Sequence, residues 1–226
     1  MAIANGSKAM RSVRMVQYPM MTNLLTPTVA TNSIGVVLAG GKSSRMGYDK
    51  ALLRFDNTPL LLHARALLQA AGCSQVLMSG APRPEWLDKS ISDLAPSSGP
   101  VGGIISVIHQ ITRHARPELM MLFIPVDAPL LSPELLRALM DKTEVDGCII
   151  DDTPLPVALR ITNAVLTQCS ATLPDLLAGK SRSIKCFLQP LRLAHLSQTG
   201  AIKPQLTNVN TPVEWEGVCR ELENRA

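Results

Sequence analysis

The run Ile34-Gly35-Val36-Val37-Leu38 and the residues that follow it constrain this chain more than any other stretch. Five apolar positions without polar alternation suit a strand covered on both faces, the condition of a parallel sheet flanked by helices. The run leads into Ala39-Gly40-Gly41-Lys42-Ser43-Ser44-Arg45-Met46-Gly47-Tyr48-Asp49-Lys50. This is longer than the usual connection of about 2–6 residues between strand and helix, and long ordered loops tend to carry function. Its glycines allow close backbone approach, its N–H groups can face oxygens, and its Arg and Lys supply fixed positive charge. The loop reads as a phosphate cradle.

Two common templates do not fit. Gly41-Lys42-Ser43 imitates the end of a P-loop, but that motif needs a glycine where Val36 stands, and Gly35 is one residue off. No G-x-G-x-x-G can be read here, so the dinucleotide fingerprint fails as well. A plain glycine-rich turn with solvated Lys and Arg is the remaining alternative, and the length of the loop argues against it.

Past the loop, strand and helix patterns alternate, which predicts a single α/β domain built on a doubly wound, mostly parallel sheet with helices on both faces. Thr58-Pro59 is expected to cap and start a helix through Leu60, Ala64, Leu67, Leu68 and Ala71, stopped by Gly72. A second strand is expected over Gln75–Ser79, a helix over Gly102–His114 and a third strand over Leu119–Val126. Another helix should open at Ser132-Pro133-Glu134. In such sheets ligands sit beyond the carboxyl ends of the strands, where strand order reverses. The residues just after each apolar run are therefore the ones to examine: Ser79-Gly80, Asp93 before Ser98-Gly99-Pro100, and Asp127.

Asp127 is the strongest of these. An acid at the end of the buried run Phe123-Ile124-Pro125-Val126 is costly unless it meets a cation. Mg²⁺ fits, because it takes one or two carboxylates and completes its shell with phosphates and water. The plainer role for Asp127 is a turn residue ahead of the Ser132 helix.

Composition narrows the function classes. The 226 residues are 46% hydrophobic and 18% charged, as in a globular domain with a substantial core. Aromatics are only 3%, too few for the stacking platforms of single-strand nucleic-acid binders. Net charge is +4, of which Lys8, Arg11 and Arg14 supply +3, so no basic nucleic-acid face is indicated. The five cysteines are scattered, without metal-type spacing, and suit a reducing, cytoplasmic setting. No apolar run reaches the ~18 residues of a membrane span. The four histidines, His63, His109, His114 and His195, read as structural. Residues 1–32 contain no acid and five of the ten methionines. They read as a disordered tail or an over-long start, with a targeting segment as the third reading; residues 33–226 form the domain.

The segment LAGGKSSRMGYDK, Leu38–Lys50, resembles the loop of the molybdenum cofactor guanylyltransferases, within the nucleotidyltransferases that share L-A-[GA]-G-x-[GS]-x-R-[MF]-G-x-x-K. The double glycine and the R-M-G-x-D-K ending resemble the guanylyl-transferring branch, whereas cytidylyl-transferring relatives usually read A-A-G. The resemblance runs from about Ile34 to the C-terminus. It implies a Rossmann-like nucleotidyltransferase fold and transfer of GMP from GTP onto the phosphate of molybdopterin. Leu38, Ala39, Gly40, Gly41, Lys50, Ser79, Asp93 and Asp127 would bind the nucleotide, and Asp127 would hold Mg²⁺. Arg45, Lys50 and Asp127 would act in catalysis. Asp127 stands in a C-D-x-P-like element with Val126 in place of cysteine, and Asp93 precedes a segment like G-P-[LV]-[AG]-G. On the acceptor side the resemblance points to the strand Leu155–Leu159, to Lys180 and Arg182, and to Asn208 and Asn210 in an N-[IV]-N-T-P element.

The implied partners are GTP and molybdopterin, with transient contact to cofactor-biosynthesis or molybdoenzyme-maturation proteins. Neither nucleic acid nor a membrane is implied. The rival readings are a CTP-using sibling and a non-catalytic nucleotide- or cofactor-binding adaptor.

Overall fold

The computed structural model describes residues 33–40, 53–55, 58–83, 86, 89–113, 119–142 and 144–223. The expectations for residues 1–32, Gly41, Arg45, Lys50 and His114 fall outside them.

Strand β1 (Ser33–Leu38) is buried along its whole length. A short hairpin follows, β2 (Arg54–Phe55) against β3 (Thr58–Pro59), and leads into helix α1 (Leu60–Ala70). Then come β4 (Gln75–Ser79), β5 (Ser90–Ile91), α2 (Gly99–Thr112), β6 (Met120–Pro125) and α3 (Pro133–Met140). The remainder consists of β7 (Gly147–Ile150), β8 (Thr153–Arg160), α4 (Asn163–Leu177), α5 (Ile184–Leu188), β9 (Leu193–Leu196), a 3-10 turn (Lys203–Leu206) and α6 (Pro212–Glu223).

Seven strands form one sheet in the order β5-β4-β1-β6-β8-β7-β9. All run the same way except β8, which is antiparallel to β6 and β7. The sheet is doubly wound and mostly parallel, as expected. From β1 the chain first builds outward through β4 and β5, then returns to add β6 on the other side of β1. That reversal lies at the carboxyl ends of β1 and β6.

The unbroken apolar run of β1 follows from its two covered faces. Val37 packs with α1 and α3 residues such as Leu68 and Leu136. Ile34, Val36 and Leu38 pack on the other face with Ile104 and Ile108 of α2 and Val165 of α4. Gly35 is where α1 comes closest: a Cβ there would stand 3.0 Å from three carbons of Leu68.

Two sequence expectations need correcting. Thr58 does not cap α1. It pairs with Phe55 in the hairpin, and Pro59 occupies the cap position without a side-chain bond. The helix through Gly102 begins earlier, at Gly99, and ends at Thr112. Elsewhere the local signals hold: the Ser132 hydroxyl accepts from Leu135 N–H at 3.3 Å, and Gly72 ends α1 at a positive φ of 101°.

The reversed strand is fixed by a buried acid. Asp146, 2% exposed at the start of β7, accepts from the Thr162 hydroxyl at 2.8 Å and from Arg192 N–H at 3.0 Å. The Arg192 guanidinium adds a contact at 3.5 Å. Burial opposes its charge, but the Arg192 and Thr162 bonds prevail and hold the carboxyl below its ordinary value. Because Thr162 also caps α4, one carboxylate fastens β7, α4 and β9. Among the described residues, no helix is long and apolar enough to cross a membrane.

Asp146→Ala should cost about 1–3 kcal/mol in urea unfolding, since it leaves buried donors unsatisfied. The folded pKa lies below the unfolded one, so the wild-type advantage is present at neutral pH and lost as pH falls below about 4. Unfolding curves of wild type and variant should therefore converge in acid.

Candidate active site

The carboxyl ends of β4, β1 and β6 carry the expected residues side by side. Their ladder continues past the strands: Ala39 N–H donates to Ser79 C=O at 3.0 Å and Val126 N–H to Leu38 C=O at 3.3 Å. Gly80 N–H donates to Ile91 C=O at 3.0 Å. The backbone of Leu38–Gly40 thus lies between Ser79-Gly80 and Val126-Asp127. Gly80 has a φ of +136°, and a Cβ there would stand 3.1 Å from Gly40 N and 3.2 Å from Ala39 C. A side chain at Gly80 would therefore push away the segment that starts the glycine loop.

Asp93 and Ser79 form the floor on this side. The Ser79 hydroxyl donates to Asp93 Oδ1 at 3.2 Å, and Asp93 Oδ2 lies 3.5 Å from where a Gly40 Cβ would be. The start of α2 closes around them. A Cβ on Gly103 would collide with the Ser79 hydroxyl, and one on Gly102 with the Ser98 side chain. Ser106 ties the helix to the acid's neighbour, accepting from Leu94 N–H at 2.9 Å while donating to Gly102 C=O at 2.6 Å. Burial raises the Asp93 carboxyl above its ordinary value, and the Ser79 bond offsets this in part. A half-buried acid at a backbone cleft is suited to hydrogen-bond the N–H or O–H groups of a nucleoside.

Asp127 follows β6, half-buried, in a turn held from several directions. Val209 N–H donates to Asp127 C=O at 2.8 Å, and Leu131 N–H reaches Ala128 C=O at 3.5 Å. The His63 ring Nε2 bonds Pro129 C=O at 2.9 Å, and Ser132 N–H donates to Gln205 Oε1 at 3.0 Å. Burial lowers the pKa of His63, outweighing the Pro129 bond, so the ring is neutral at pH 7. Leu130, Val209 and Val218 form a small core beneath the turn, joined by Leu53 and Trp215.

The Val209 bond brings Asn208 and Asn210 to the acid. The segment is locked by a capping box at the start of α6, in which Glu214 Oε2 accepts from Asn210 N–H at 2.7 Å and from Thr211 N–H at 2.9 Å. The Thr211 hydroxyl accepts in return from Glu214 N–H at 3.3 Å.

Lys180 and Arg182 are placed differently. Both pair with Asp175 near the end of α4, at 3.0 Å and 2.7 Å, and all three are solvent-accessible. Because β8 is reversed, α4 starts at the amino edge of the sheet and runs back toward the carboxyl edge, which carries this pair toward the site's side. They lie on the α2 and α5 face rather than at the Asp127 turn. The strand Leu155–Leu159 lies within β8, beside β6.

The sequence read His63 as merely structural and did not single out Gln205, because neither stands in a motif. His195 pairs with Asp151 at 3.1 Å at the end of β7, and His109 is exposed.

Among the described residues, no group of three His, Cys, Asp or Glu gathers into a cage. A Mg²⁺ that shares phosphates needs only one or two carboxylates, so Asp127 at the edge of the cleft fits such an ion.

A family model described as the MobA-like NTP transferase domain matches residues 35–193, which include the carboxyl ends of β1, β4 and β6. The chain belongs to that family. It is 39% identical over 187 residues to a molybdenum cofactor guanylyltransferase of Xanthomonas euvesicatoria, covering 83% of this chain and 94% of the relative. A guanylyltransferase of the same description from Pseudomonas syringae pv. tomato is 28% identical over 197 residues, covering 81% and 91%. Among solved structures, a molybdopterin-guanine dinucleotide biosynthesis protein A from Archaeoglobus fulgidus aligns with a TM-score of 0.63 at 18% identity. That alignment spans 85% of this chain and 100% of the other. At that identity the likeness shows the MobA-like fold.

The elevated Asp93 pKa has a definite sign. The stability it contributes is fully present below about pH 3.8 and is lost as pH rises through the folded value. Asp93→Asn should therefore gain thermal stability relative to wild type as pH rises from about 4 to 7, while nucleotide affinity measured by calorimetry falls.

Proposed function

We propose that this chain transfers GMP from GTP to the phosphate of molybdopterin, making the guanine dinucleotide form of the molybdenum cofactor. The observation that carries this reading is the Val209–Asp127 bond. It sets the segment of Asn208 and Asn210 beside the turn of Asp127, which supports reading the two as parts of one site for two substrates. The named relatives, one of them 39% identical along most of both chains, supply the choice of GTP and molybdopterin.

The chemistry asks little of the protein beyond positioning and charge neutralisation. An acceptor phosphate oxygen attacks the α-phosphorus of GTP in line; the bond from that phosphorus to the bridging oxygen breaks, and pyrophosphate departs. The backbone of Ala39 and Gly40, kept open by Gly80, receives the nucleoside against Asp93 and Ser79. Arg45 takes the departing β- and γ-phosphates and Lys50 the α-phosphate or the incoming phosphate, both from the loop outside the described residues. Asp127 holds Mg²⁺, and the ion when bound neutralises charge on the phosphate oxygens. Asn208 and Asn210 hydrogen-bond the polar edge of the pterin, and Lys180 and Arg182 extend the acceptor side once released from Asp175. None of the five cysteines is in a disulfide and three of them are buried, in keeping with a cytoplasmic enzyme.

Asp127→Asn should lower turnover by on the order of 10²–10³ with the fold intact, the usual loss when one preorganised electrostatic partner is removed. Pyrophosphate release with molybdopterin as acceptor, followed with GTP or CTP and with or without Mg²⁺, tests the whole reading. Release that requires GTP and Mg²⁺ is expected. A preference for CTP would make the chain a cytidylyl sibling, and binding without release an adaptor.

A further inference from the structure

Helix α1 follows the glycine loop and its hairpin in sequence, and it carries one polar side chain across to the opposite half of the site. His63 is half-buried, and its ring approaches the carbonyl of Pro129, two residues beyond Asp127. A carbonyl only accepts, so Nε2 carries the proton and donates it over 2.9 Å. Pro129 and Pro133 have no N–H, the Asp127 carbonyl is held by Val209, and the Ala128 carbonyl accepts a long bond from Leu131. The Pro129 carbonyl belongs to a buried residue, so without the imidazole it would lose its partner away from water. Beside the ring, Ala66, Leu67, Ala70 and Pro133 line a small, half-open apolar pocket of about 50 Å³, whose side chains carry no donor.

We propose that His63 is a positioning residue for Asp127: its Nε2–H, bonded to the Pro129 carbonyl, sets the turn so that the carboxylate faces the phosphates. The link runs between the two parts that must act together. Leu60 N–H, at the start of α1, bonds Leu53 C=O at the exit of the glycine loop, and Leu53 itself packs with Leu130 and Val209. Leu53, α1 and the acid turn are therefore joined to one another, with His63 as the polar tie between helix and turn. The assignment rests on Asp127 as the phosphate-side acid of the proposed transfer.

The test uses reach. Glutamine can place an amide N–H about where imidazole Nε2 stands, whereas asparagine stops short. Manganese affinity with GTP present, read by electron paramagnetic resonance, should fall about 10–100-fold in His63→Asn and stay within about threefold of wild type in His63→Gln, as for residues that orient metal ligands. Amide exchange at Val209, the partner of Asp127, should speed up in the asparagine protein alone. In transfer assays kcat should fall with manganese affinity while KM for GTP changes little.

Equal behaviour of the two variants, or wild-type manganese affinity and Val209 protection in His63→Asn, would overturn the proposal. The metal and exchange measurements need no turnover. If they behave as expected in a protein that transfers nothing, the positioning role stands and the transferase reading falls.

Discussion

The close approach of Gly40 to Gly80 is the constraint on which the rest of the site depends. Two strand ends can lie this near because Gly80 has no Cβ and takes a backbone conformation that L side chains rarely adopt, whereas a Cβ on Gly40 would make only ordinary contacts. The ladder below keeps the backbones in register, and Gly102 and Gly103 allow α2 to press Ser98 and Ser79 into place beside them. What results is an edge of bare main chain, with Asp93 on one side and Asp127 on the other. Such an edge lets a nucleotide approach the peptide groups directly, as phosphate and nucleoside recognition requires.

The second organising element is the set of bonds that gather distant segments around Asp127. Val209 comes from near the C-terminus, Gln205 from the 3-10 turn before it and His63 from α1, yet all three fasten a turn of a few residues after β6. The capping box of Asn210, Thr211 and Glu214 then fixes where the last helix leaves. Segments far apart in sequence are thus fastened to the end of β6 by one main-chain bond, from Val209, and by the side chains of Gln205 and His63. Asp146 does the same work for the reversed half of the sheet, where no glycine loop sets the register.

Local structure was legible wherever one residue decided it. The strand Gln75–Ser79 has the bounds its apolar pattern implied, Ser132-Pro133 opens a helix, and Gly72 closes one. Ser79 and Asp93 were each picked out by resemblance, because both flank recognisable glycine patterns, but their bond to each other emerges only in the fold. Thr58-Pro59 misled because a capping residue followed by proline is also a good hairpin edge, and the choice is made by pairing with Phe55. The reversal of β8 and the roles of His63 and Gln205 depend on contacts between segments far apart in sequence, which no local spacing encodes. Lys180 and Arg182 show the same gap: their charge was evident, but their shared partner Asp175 appears only once α4 folds back.

A crystal structure with GTP and Mn²⁺ would test the central claim most directly. The account predicts the nucleoside over Gly40 and Gly80 with Asp93 in contact, and an anomalous manganese peak beside the Asp127 carboxylate. A nucleotide seated elsewhere, for instance in the pocket between α5 and β9 near His195, with no metal at Asp127, would contradict it.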